Sequence, residues 1–108
     1  MGTSNDARDK LTVTHDAPER RFEVTVEDGG VADFLAYDQV AATTAGGKDT
    51  IVMIHTIVQP EHEGQGIGSA LARAALDHAR EKTMIVIPEC TFVRAFIERH
   101  PEYQDLLP

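Results

Sequence analysis

The chain has 108 residues, 42% of them apolar and 26% charged, the composition of one ordinary globular domain with its own core. Ten basic against eighteen acidic residues leave a net charge of −8, which argues against a nucleic-acid or anionic-membrane binder, since either needs a basic face. Cys90 is the single cysteine, so an intrachain disulfide and a cysteine zinc cluster are excluded and a reducing, cytoplasmic setting is expected; no apolar run reaches the ~18 residues of a membrane span.

Residues 1–10 are polar, contain no apolar signal core and read as a disordered tail, leaving a single domain over 11–108. Leu11–His15 alternates apolar and polar residues as a first strand. Asp16–Arg20, with Pro18, is a turn. Arg21–Val26 alternates again and puts Phe22, Val24 and Val26 on one face. Glu27-Asp28-Gly29-Gly30 is a tight hairpin signal, and Val31–Tyr37 is the return strand. After a second turn over Ala41–Lys48, Asp49–Val58 is nearly continuous in apolar residues, which predicts a central strand covered on both faces.

Pro60 ends that strand, and a loop over 59–65 leads into a helix from about Gly66 to about Lys82. Ile67, Leu71, Ala74, Ala75 and His78 form its buried stripe. Thr83–Ile87 is a second buried strand. A strand, helix, strand crossover is right-handed by default, so the two strands run parallel. Phe92, Val93, Phe96 and Ile97 repeat at helical spacing as far as Pro101, and a short closing turn over Pro101–Leu107 packs Tyr103 and Leu106. No repeat, linker or second domain is visible. The expected class is α+β: an antiparallel meander of three or four strands, then β-loop-α-β-α in a mixed sheet.

The chemistry is concentrated at the junction of the central strand and the first helix. Gly64, Gly66 and Gly68 alternate there. A strand, a glycine loop and a helix N-terminus make an anion seat, with outward N–H groups and a favourable dipole. The same spacing also serves a plain tight turn. No Gly-Lys-Ser/Thr is present, so the loop is not that of a P-loop NTPase. It lies past mid-chain with one parallel strand after it, which disfavours a dinucleotide site of the Rossmann type. Cys90 is either a small buried hydrophobe or, just before a helix, a thiol whose thiolate is favoured. His55 is either a hydrogen-bonded core residue or a general base. His62 lies in the loop, beside a phosphate or solvated. His15, His78 and His100 have no constellation around them, and no His-x-x-x-His or Cys-x-x-Cys spacing supports a metal.

The strand ending at Val58, followed by Glu63-Gly-Gln-Gly-Ile-Gly-Ser-Ala-Leu71, resembles the acetyl-CoA loop of the GNAT acetyltransferase superfamily, Gln/Arg-x-x-Gly-x-Gly/Ala. Gly66 and Gly68 match its glycines. Glu63 stands where arginine or glutamine is usual, so binding would fall to backbone amides. His55-Thr-Ile-Val58, the glycine loop, Pro88-Glu-Cys-Thr-Phe-Val93 and His100-Pro-Glu-Tyr103 resemble, in that order, the blocks of a small subfamily of minimal GNAT-like proteins. The likeness spans about residues 11–107 and implies a GNAT-like sheet lacking the early helical pair.

The resemblance implies acetyl-CoA as the cofactor. Its pyrophosphate would sit on Glu63, Gly64, Gln65, Gly66, Ile67, Gly68 and Ser69. Its pantetheine would run between strands 51–58 and 83–87 along Ile57 and Val58, with an edge of Phe92 beside it. Cys90 and His55 would flank the thioester as nucleophile and base. The tyrosine acid of many GNAT enzymes falls near Phe96, which cannot donate a proton. The implied activity is acetyl transfer to an unidentified amine, directly or through a Cys90 acyl intermediate. The alternative is an acetyl-CoA-binding module or sensor without efficient transfer, and a third reading is a small structural protein with no ligand.

Overall fold

The computed structural model describes residues 12–25 and 31–108, with side chains from residue 33 onward in the second stretch. The strands are β1 (Thr12–Asp16), β2 (Arg21–Thr25), β3 (Val31–Val40), β4 (Thr50–Ile57) and β5 (Ile85–Pro88); the helices are α1 (Ile67–Glu81) and α2 (Thr91–Arg99). They form a five-stranded sheet in the order β1-β2-β3-β4-β5. The first four strands pair antiparallel, and β4 pairs parallel with β5 across the α1 crossover. This is the mixed α+β sheet that the chain's patterning predicts. Short 3-10 segments over Pro60–His62 and Pro101–Leu106 follow β4 and α2. The expected tail over 1–10 and the Glu27–Gly30 hairpin turn lie outside the described residues.

Alternation sorts the strand side chains. Phe22, Val24, Leu35, Tyr37, Ile51, Met53 and Val86 point to one face and are buried there. Leu71, Ala75, Leu76 and Ala79 of α1 and Val93, Phe96 and Ile97 of α2 join them in a single core. The two helices also pack on each other, with the Arg73 guanidinium 5.4 Å from the Phe96 ring centre. The expectation that the central strand is covered on both faces does not hold. Both helices stand on one face, and on the other Ile57 and Ile87 are more than a third exposed. Among the described residues Glu23 is the buried one of that second face, and Arg21 donates to its carboxylate. Two helical stripes suffice for one layer only.

One irregularity decides which residues reach the site. Tyr37 pairs with Met53 but Ala36 pairs with His55, so Ile54 is an extra residue in β4. Such a bulge reverses the alternation beyond it. Ile51 and Met53 face the helices before it, and Thr56, opposite Leu35, does so after it. His55, opposite Ala36, is turned to the open face.

Candidate functional site

The parallel ladder between β4 and β5 runs only from Thr50–Ile85 to Met53–Pro88. Beyond it β4 continues to Ile57 while the backbone after β5 turns into α2, anchored by the Cys90 N–H donating to the Met53 carbonyl at 2.9 Å. A cleft of about 450 Å³ opens where the strands part, lined by Thr56, Val58, His62, Glu63, Gly64, Gly66, Ile67, Gly68, Ser69 and Phe92. It joins the end of a parallel strand to the start of a helix, the usual place for a ligand beside a parallel pair.

Gly66 is the N-cap of α1 and has φ 81°, a left-handed conformation that side chains resist; no side chain caps the helix. The first helical bond runs from the Ala70 N–H to the Gly66 carbonyl. The amides of Ile67, Gly68 and Ser69 therefore have no partner within the helix and remain for an anion. Gly68 has a different duty. A β-carbon there would meet Phe92 Cζ at 2.8 Å, so its absence lets the aromatic ring lie against the helix start and form a wall of the cleft. An uncapped amide row beside an aromatic wall fits a phosphate-bearing chain with an apolar arm.

Of the residues expected to bind cofactor, the cleft gathers Val58, Glu63, Gly64, Gly66, Ile67, Gly68, Ser69 and Phe92. Ile67 is buried in the core, so its backbone is what it offers. Gln65 does not line the cleft, and Ile57 is turned with His55 to the open face. Cys90 is the N-cap of α2 and 7% exposed. It does not itself line the cleft, but its Sγ lies 3.4 Å from Oγ1 of Thr56, which does. His55 is exposed, and its ring meets Phe34 edge-on with centres 6.2 Å apart. Cys90 and His55 thus come from opposite faces of the sheet, and Thr56 is the neighbour of the sulfur.

Two features escape a reading of the sequence. Asp33 of β3 is fully buried and accepts from the Gln59 N–H at 2.7 Å and from His62 Nδ1 at 2.6 Å. It fixes the loop that carries the site. At the other end of α1, His15 and His78 meet edge-on, 4.6 Å between ring centres, with His15 Nε2 2.6 Å from the Tyr37 hydroxyl. Two of the three histidines that stand alone in the sequence, His15 and His78, therefore meet in the fold. Burial lowers the pKa of both, and for His78 the neighbouring His15 adds to the effect. Neither tyrosine serves the cleft: Tyr37 bonds His15, and the Tyr103 hydroxyl donates to Asp77. Phe96 is fully buried and stacked on His100.

A family model described as GCN5-related N-acetyl-transferase matches residues 21–106. Protein NATD1 of Danio rerio is 29% identical over 100 residues, covering 91% of this chain and 86% of its own. Protein NATD1 of Bos taurus is 30% identical over 91 residues, covering 84% and 75%. Among solved structures, a GCN5-like putative N-acetyltransferase from Staphylococcus aureus superposes with a TM-score of 0.64 at 26% identity, covering 92% of this chain and 89% of that one. The ribosomal-protein-alanine N-acetyltransferase of Brucella melitensis biovar Abortus 2308 shares the fold, with a TM-score of 0.59 at 20% identity. This chain covers 61% of its length.

Proposed function

The chain belongs to the GCN5-related N-acetyltransferase family, and from that premise we propose that it uses acetyl-CoA to acetylate an amine. The observation that carries the reading is the cleft itself. The uncapped amides of Ile67, Gly68 and Ser69 lie at one side, and Thr56, in contact with Cys90, at another. Acetyl-CoA would supply an acetyl group as an activated thioester. The amides from Gly64 to Ser69 hold its diphosphate, taking the load that Glu63 cannot, and the β4 backbone around Val58 with the Phe92 ring holds the apolar arm.

In this reading Cys90 is the nucleophile. Cys90 Sγ would attack the acetyl carbonyl, the thioester C–S bond would break, and the Cys90 proton would pass to the departing CoA sulfur, with the Thr56 hydroxyl 3.4 Å away hydrogen-bonded to Sγ. The acceptor amine, as its free base, would attack the acetyl-Cys90 carbonyl and pass its proton to the departing Cys90 sulfur; His55, on the opposite face, takes no part in that step. The covalent route is favoured over direct transfer because neither tyrosine lines the cleft and Phe96 is buried away from it. That same shortage of an acid favours a second reading, a module that binds acetyl-CoA without efficient transfer.

The test incubates the protein with acetyl-CoA, maps acetylation by peptide mass spectrometry and follows CoA release with a panel of amines. Acetyl-Cys90 and saturable CoA release are expected, and both should disappear in Cys90→Ser. Undiminished turnover in Cys90→Ser would overturn the covalent route. Tight acetyl-CoA binding without acetylation of the chain or any amine would establish the binding module instead.

A further inference from the structure

Glu63 leaves the anion seat without a cationic or amide side chain at the usual place, yet the cleft has an ionisable nitrogen of its own. His62 lines it, one residue from Glu63, and its side chain is 20% exposed. Its Nδ1 is committed to Asp33 Oδ2 at 2.6 Å, while Asp33 Oδ1 takes the Gln59 N–H at 2.7 Å. A buried carboxylate with both oxygens engaged is rigid, so the imidazole is held in one orientation. Because the carboxylate only accepts, Nδ1 carries a proton, and Nε2 is the ring nitrogen left for a ligand.

We propose that His62 is the side-chain donor to the diphosphate of the cofactor, with Asp33 as its positioning residue. The inference rests on the acetyl-CoA reading of the cleft. Asp33 holds the Nδ1 side of the ring, and the diphosphate would meet the Nε2 side. The other walls of the cleft, Thr56 and Val58 after the bulge of β4, Ile67 to Ser69 of α1 and Phe92 of α2, bring no ionisable group. The arrangement would set Nε2 of His62 against the phosphates in a cleft whose other ionisable wall residue, the exposed Glu63, is acidic.

The experiment is calorimetric titration of the whole chain with CoA and with pantetheine, which lacks the phosphates. For the wild type, CoA binding tighter than pantetheine binding is expected. In His62→Asn, whose side-chain amide takes the place of Nδ1 and leaves nothing at that of Nε2, CoA binds about tenfold more weakly and pantetheine binding is unchanged. Asp33→Asn, which loosens the hold on the ring, weakens CoA binding in the same direction and leaves pantetheine binding unchanged. Unchanged CoA affinity in His62→Asn, or equal loss of CoA and pantetheine, overturns this role for His62 and leaves the cofactor reading standing. Failure of the wild type to bind CoA overturns the cofactor reading and this inference together.

Discussion

Phe92 is 36% exposed, yet it is fixed, because its ring fills the space that a side chain at residue 68 would take. In Gly68→Ala the added methyl would displace the ring, which can swing outward because one side is open. The expected loss of stability is modest, about 1 kcal/mol, but the cleft loses its aromatic wall. CoA and pantetheine should both bind more weakly, which separates this lesion from His62→Asn. Thermal melts and titrations with both ligands check it, and Gly68→Ala with Phe92→Leu should recover the melting temperature but not the affinity. Gly66→Ala acts otherwise, since its φ of 81° costs a β-carbon roughly 1 kcal/mol through the backbone. At this scale the glycine loop was legible as an anion seat because spaced glycines before a helix are a local pattern. The separate duties of Gly66 and Gly68 were not, since one depends on a backbone angle and the other on a ring 24 residues away in sequence. Asp33 was invisible for the same reason: its partners Gln59 and His62 come from a different part of the chain.

Among the elements, β4 shows where alternation succeeds and where it fails. Its apolar run marks it as the central strand, and β3 and β5 do flank it. The extra residue at Ile54 leaves no mark in composition, and strict period two then assigns His55 to the face that Thr56 occupies. The closing 3-10 helix offers a cleaner contrast between buried and exposed bonding. Tyr103 is 4% exposed; its hydroxyl donates to Asp77 at 2.7 Å and accepts from Arg73 at 3.3 Å. Burial and the Asp77 carboxylate raise its pKa, so it stays a neutral donor. Arg80 grips Asp105 of the same segment at 2.8 Å, but both side chains are largely in water. Tyr103→Phe should therefore destabilise the fold by about 1–2 kcal/mol, whereas Asp105→Asn should leave denaturant midpoints nearly unchanged because solvent screens the pair. Equal effects from the two substitutions would show that the segment is held by its charges, not by its buried hydroxyl.

For the molecule as a whole, pH acts through two opposing terms. Acidification reduces the net charge of −8 and relieves self-repulsion. It also forces protons onto His15 and His78, whose rings are packed between the β1 edge and the C-terminal half of α1. Their native pKa values lie below 6.5, mainly through burial; Asp16 partly offsets this for His15, while Lys82 reinforces it for His78. Between those lowered values and the unfolded value of about 6.5, the unfolded chain binds more protons than the native one. Stability then rises with pH. The contribution is fully present above about pH 6.5 and is lost as the pH falls through the native values. The melting temperature should accordingly drop between about pH 7.5 and pH 5, before carboxylate protonation dominates. His15→Gln and His78→Gln should each flatten that slope, and the double variant should flatten it further. Protonation of either ring raises the cost of protonating the other, so the two effects should be less than additive. A double variant that keeps the full wild-type slope would assign the acid sensitivity elsewhere, and a slope of opposite sign would mean that relief of charge repulsion outweighs the histidine pair.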